Sequence, residues 1–283
     1  MGGSDWRPLG GIDRRRLSVA RVQAHYAVQW LARAARAYVP PQPDDGHTNL
    51  GWDDTFDGFT THRLKNGMHL SLKIADLTLV VHGSERTARI QAFSLNGRTD
   101  AQARQWLGEQ LGARGLDAYA LDAPSPYEMP AHAVTQGAAY GVTDLADLLI
   151  ELAAWFTNAE FSLVRVQRQM IQRKLAASNV RCWPHYFDLA TLASFPTRNA
   201  DATGYVGAGL SPGDEYEPYF YVSVYPQPDS AALPRLPKLG HWHTHEFTAA
   251  VVPAHQIVAA NNQKAAADEF LEAAIDVAIK ILR

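Results

Sequence analysis

Residues 17–39, LSVARVQAHYAVQWLARAARAYV, place Val19, Val22, Tyr26, Trp30 and Ala34 three and four positions apart. That is the period of an amphipathic helix. Pro40 and Pro41 end it, because proline lacks the amide the next turn needs. The period then falls to two. In MHLSLKI, Met68, Leu70, Leu72 and Ile74 alternate with His69, Ser71 and Lys73, which predicts a strand with one buried face. Asn66-Gly67 precedes it, and both residues tolerate the positive φ of a tight hairpin. The spacing therefore predicts antiparallel pairing of 59–65 with 68–74. LTLVVHG and ARIQAFSL read as further strands. Thr99 and Gln102 form a capping box that opens a helix from Asp100 to about Ala113, with Gly112 and Gly115 at its end.

Residues 116–142 lose all period and contain Pro124, Pro126 and Pro130. The spacing next predicts a long helix over 143–177, with Leu145, Leu148, Leu149, Leu152, Trp155 and Phe156 as its apolar stripe. Asn158 marks a kink or break in it. Strands are expected at 179–184, 204–209, 218–226 and 241–252. A helix over 263–282 turns Phe270, Leu271, Ala274, Ile275, Ala278 and Ile281 to one side. The halves 1–142 and 143–283 share the order helix, strands, helix, either as an old duplication or within one compact domain. Such an order implies the α+β class, a mostly antiparallel sheet with helices packed on one side.

Composition narrows the setting. The 283 residues are 47% hydrophobic and 19% charged, an ordinary globular mixture. A net charge of −3 provides no basic field for nucleic acid, and Arg14-Arg15-Arg16 reads as a solvated helix start. The one cysteine, Cys182, rules out an internal disulfide and a Cys-rich zinc site and implies a cytoplasmic location. No apolar run of about 18 residues is present, so no membrane span is expected. MGGSDWRPLGG lacks the apolar core of a signal peptide, and Trp6 breaks the myristoylation pattern. Oligomeric state is not readable.

Three blocks, RCWPHYFDLATL (181–192), GLSPGDEYEPYFYVSVYPQP (209–228) and HWHTHEFTAAVVP (241–253), carry a resemblance. With GFTTHRL (58–64) and, more weakly, HYAVQW (25–30), they resemble a mainly bacterial family catalogued as domain of unknown function 5996. That resemblance implies a single-unit architecture over most of the chain and no catalytic residue.

The densest candidate chemistry is GHWHTHEF. On a strand, His241, His243 and His245 would share a face with Phe247, while Trp242, Thr244 and Glu246 take the other. Same-face imidazoles about 7 Å apart let two of them reach one ion, given a strand rise of ~3.3 Å per residue. His185 or Asp188 of WPHYFD would supply the third ligand, and a two-His, one-carboxylate set suits Zn or Fe. The alternative is an aromatic strand with polar tips. In EPYFYVSVYPQP, Phe220, Val222 and Val224 should be core, opposite a stripe of Tyr219, Tyr221 and Tyr225. Aromatic groups with hydroxyl or indole handles suit a ligand pocket or an interface. Asp214, Glu215 and Glu217 read as a solvated loop, with general acid–base work the less favoured use. DDTFDG opens like a calcium loop but lacks its last glutamate, so Trp52 and Phe56 are expected to anchor it. Cys182 reads as a buried thiol, since an extended chain points it away from His185.

Two functions follow. One is the binding of a small molecule or partner through an aromatic and histidine-lined pocket in the C-terminal half, using Tyr219, Tyr221, Tyr225, Trp183 and Trp242. The other is a metal-dependent hydrolase or oxygenase, with His241, His243 and His185 or Asp188 around a divalent ion and Glu246 or Asp214 as a remote base.

Overall fold

The structure is a computed structural model that describes residues 6–13, 16–83, 90–197, 203–213 and 217–283. The fold is α+β, with two antiparallel sheets in two compact units. The N-terminal unit holds 19–153 and 182–187, and the C-terminal unit holds the residues up to 18, 154–181 and 188–283. The chain passes between units inside a helix, at 153/154, so the proline-rich stretch 116–142 stays within the N-terminal unit.

The N-terminal unit carries most of α1 (Leu17–Tyr38) and a meander of β1 (Gly51–Asp53), β2 (Gly58–Thr60), β3 (Met68–Lys73), β4 (Thr78–Gly83) and β5 (Gln91–Ser94). The β2–β3 hairpin forms where Asn66-Gly67 predicts it, with Gly67 at φ 82°. β2 is shorter than the expected strand. Past Thr60 the pairing loosens to single bonds, Thr61 N to Leu70 O at 3.0 Å and Leu64 N to Met68 O at 2.8 Å. α2 (Asp100–Gly112) opens on the Thr99–Gln102 capping box in both directions. Trp52 meets Phe59 edge-on at 5.0 Å, and Phe56 lies 4.8 Å from the His82 ring, so the 53–58 turn is held by its aromatics.

α3 (Ala146–Gln172) runs without interruption through Asn158. A kink or break was the expectation there. Instead the side-chain amide clamps the backbone of Arg7, accepting from its N–H and donating to its carbonyl, each at 2.8 Å. A buried polar side chain inside a helix is stable when its hydrogen bonds are met.

Beyond α3 come β6 (Ala176–Ala177), β7 (Arg181–Trp183), β8 (Asp188–Pro196), β9 (Thr203–Ser211), β10 (Tyr219–Tyr225), β11 (His241–His243), β12 (Ala249–Pro253), the short α4 (Ala254–Val258) and α5 (Gln263–Leu282). The C-terminal sheet runs β11-β12-β10-β9-β8-β6, each neighbour antiparallel. Phe220, Val222 and Val224 are buried as the alternation requires. They face the helices: Trp155 of α3 lies 6.3 Å from Phe220, and Ser162 of α3 donates to Asp268 of α5 at 2.8 Å. Burying each large apolar side chain on this face contributes ~1.5–3 kcal/mol.

Two expectations change here. β8 was not expected from the sequence, although Leu189, Ala193 and Phe195 alternate inward along it. The single strand 241–252 is instead a hairpin, β11 and β12, turning through residues 244–248 with Glu246 at φ 65°. His245 therefore leaves the strand and is exposed.

Candidate functional site

The site is built on α1, in the N-terminal unit. Tyr26, Gln29, Trp30, Arg33 and Arg36 recur at three- and four-residue spacing, so they lie along one side of the helix. The segment 116–142 runs across that side and is tied down repeatedly. Tyr38 donates to the Asp117 carbonyl at 2.7 Å, Arg36 to the Pro124 carbonyl at 2.7 Å, and the Tyr127 hydroxyl to Gln29 Oε1 at 2.8 Å. The His132 ring stacks on Tyr26 at 5.0 Å. Arg104 of α2 grips Asp122 with a two-point ion pair at 2.5 and 2.6 Å. The segment has two short 3-10 turns, Ala118–Asp122 and Ala133–Gln136, and is otherwise held by these side chains in place of a backbone ladder.

Between helix and segment lies a cavity of about 160 Å³. Tyr26, Trp30 and Tyr127 are aromatic walls, Arg33 and Arg36 are cations, and Asp100 at the start of α2 is an anion. The Arg33 guanidinium sits over the Trp30 ring, 4.5 Å from its centroid. It makes no hydrogen bond or ion pair among the described residues. Arg36 uses one terminal nitrogen on Pro124, and its Nε is buried without a partner. The Tyr26 hydroxyl is likewise buried and unpartnered, on a residue 6% exposed. Asp100 Oδ1 accepts from Trp30 Nε1 at 3.2 Å and from the Tyr140 hydroxyl at 2.8 Å.

Protonation follows from burial. It pushes the Tyr127 hydroxyl up to about 12, against the lowering pull of Arg36. Tyr26 is also raised, by burial first, with Arg21 opposing. Tyr140 is driven far above the tyrosine range by burial and by Asp100. All three stay neutral donors at neutral pH. Burial and the neighbouring Arg33 lower Arg36, while Tyr127 and Asp45 act the other way. The cavity thus holds a partly desolvated Arg36 whose buried Nε lacks a partner among the described residues, a costly state unless something else meets it.

The sequence-predicted residues fall in two places. Trp183 and His185 belong to the N-terminal unit, where His185 packs 5.5 Å from Tyr127 and 6.1 Å from Trp183. Burial lowers the His185 pKa, which favours the neutral ring. The carbonyl of Pro184 between them accepts from His25 Nε2 and Gln29 Nε2, both at 2.8 Å. This fixes the WPHYF segment to the same side of α1.

The others belong to the C-terminal sheet. His241 pairs with Val251, which pairs with Tyr221; His243 pairs with Ala249, which pairs with Ser223. Directly opposed residues share a face, so the histidines and the tyrosine stripe do lie on one face. Tyr219 and Tyr221 rings are 6.3 Å apart, and Tyr225 is exposed beside Tyr205. His243 packs on Phe247 at 4.3 Å. Trp242 is on the opposite face and donates to the Pro234 carbonyl at 2.7 Å. Asp188 accepts from the Tyr221 hydroxyl. Among the described residues, no group of three or more His, Cys, Asp or Glu is placed to hold a metal ion. Of the acid–base candidates, Glu217 binds His255 through Nδ1 at 2.5 Å and the backbone N–H at 2.9 Å, and Glu246 lies in the β11–β12 turn. Asp214 and Glu215 lie outside the described residues, as do Arg14 and Arg15. Cys182 is buried, in a backbone bridge with Leu50.

Sequence reasoning took Tyr26 and Trp30 as core stripe and did not single out Arg33, Arg36, Asp100 or Tyr127. A signal was present: two arginines three apart on the aromatic side of one helix. No family model matches the chain, and no curated protein or solved structure matches it.

Proposed function

We propose that this protein binds a small anionic molecule in the cavity between α1 and the 116–142 segment. One observation carries the reading: Arg33 and Arg36 line one cavity without a carboxylate partner among the described residues, beside the buried Tyr26 hydroxyl, which is also unpartnered among them. Two neighbouring guanidinium groups repel, and an anion between them removes both the repulsion and the unmet donors. Arginine suits carboxylate or phosphoryl oxygens because its planar fork donates two parallel bonds. The cavity is smaller than the roughly 300–1,000 Å³ of pockets for drug-sized ligands, which favours a small ligand over a nucleotide.

The reading is a binding protein, in keeping with the small-molecule function expected from the sequence. The ligand site it uses is in the N-terminal unit, apart from the expected C-terminal pocket. No metal-dependent reaction is derived for the His241, His243 and Asp188 set. We also propose membership of the bacterial family whose blocks the chain resembles, and a cytoplasmic location, which a single cysteine suits. No helix among the described residues is long and apolar enough to cross a membrane.

Calorimetric titration of the full chain with acetate and with inorganic phosphate tests the reading. We expect saturable one-to-one binding of at least one of them, weakened tenfold or more by Arg33→Gln and by Arg36→Gln. Circular dichroism should show both variants folded. Absence of binding to phosphate and to every carboxylate tested, the amino acids named below included, or unchanged affinity in both variants, would overturn it.

A further inference from the structure

We infer that the ligand is a small zwitterion, an amino acid with its carboxylate on Arg33 and Arg36 and its ammonium on Asp100. The inference rests on the anion-binding reading above and adds the second charge.

Asp100 lines the same cavity as the two arginines, yet it forms no ion pair with either. Opposite charges in so small a space would ordinarily close on one another. Here they are held apart by one side chain. The Trp30 indole takes the Arg33 guanidinium on its face and donates from its edge, through Nε1, to Asp100 Oδ1. Tyr140 donates to the same oxygen, so Oδ1 is saturated and the carboxylate cannot swing toward the arginines without breaking two bonds. Oδ2 makes no hydrogen bond among the described residues.

The result is a preformed dipolar cavity, lined by cations and by a carboxylate that do not pair with one another. A monoanion satisfies half of it. A molecule with a carboxylate and an ammonium joined by a short spacer satisfies both. An analogue without the ammonium leaves Asp100 Oδ2 without that partner and binds less tightly. The small size of the cavity favours a ligand with a small side chain or none.

The test is a titration series on the full chain: glycine and β-alanine against acetate and propionate, which keep the carboxylate and lose the ammonium. Methylammonium is included as the converse control. We expect one amino acid to bind at least tenfold tighter than its deaminated counterpart, and Asp100→Asn to bring that ratio close to one. Because Asp100 also anchors Trp30 and Tyr140, the series on the unsubstituted protein decides the matter by itself if the variant fails to fold. Equal affinity for each amino acid and its deaminated counterpart would overturn the zwitterion assignment and leave the anion site standing. Binding of neither phosphate nor any of the carboxylates would overturn both.

Discussion

Tyr221 reaches across the middle strand β9 to donate a hydrogen bond to Asp188 on β8, and the residue it crosses is Gly209. The ring occupies the space a side chain at 209 would need. A Cβ there would lie 2.5 Å from Tyr221 Cζ and 2.6 Å from its hydroxyl. The glycine is required for close approach of the ring, since its φ is not in the left-handed region.

Gly209→Ala should therefore destabilise the C-terminal sheet by about 1–3 kcal/mol through overpacking. Urea unfolding measures it. In the Tyr221→Ala background the same change should cost much less, because the clash is gone. Equal costs in both backgrounds would reject the steric account.

Asp188 supplies a pH dependence. Burial pushes its carboxyl up to about 6, with the Tyr221 hydrogen bond pulling the other way. The unfolded value is ~3.9. Between those values the native state keeps a proton that the unfolded chain has released. Stability should fall as pH rises through that window, by ~1.4 kcal/mol for each unit of separation. Comparing urea midpoints at about pH 4 and about pH 6.5, Asp188→Asn should lose this component of the decline. An identical decline in the variant would show that Asp188 does not titrate as described.

The unpartnered Tyr26 hydroxyl separates folding from binding. Tyr26→Phe removes a buried polar atom that no protein group satisfies. The ligand-free protein should gain about 1 kcal/mol, read as a higher melting temperature, while affinity for the anionic ligand falls. A variant that loses stability would mean the hydroxyl is satisfied in the folded protein.

Asn158 is expected to hold the N-terminal segment through its two bonds to Arg7. Asn158→Ala should cost about 1–3 kcal/mol, because the part-buried Arg7 peptide groups lose these partners. Hydrogen exchange at the Arg7 amide should accelerate more than exchange in α3 itself. Uniform acceleration would point to global loosening instead.

Local pattern determined much of this protein. Helical spacing set α1 and α5, the Thr99–Gln102 box set the start of α2, and alternation set which side of β10 is core. Each of these depends on residues within a few positions of one another, where backbone period and capping chemistry act. Tertiary structure decided the rest. Arg33 and Arg36 become a site because a segment about a hundred residues downstream crosses α1 and brings Tyr127 with it. Asp100 becomes part of it because Trp30 and Tyr140 hold its carboxylate away from the arginines. The 241–252 stretch folds into a hairpin because its central Thr-His-Glu is polar and the flanking residues have β10 to pair with. Convergence of distant side chains leaves no period in the chain, so it is visible only where the fold closes the space between them.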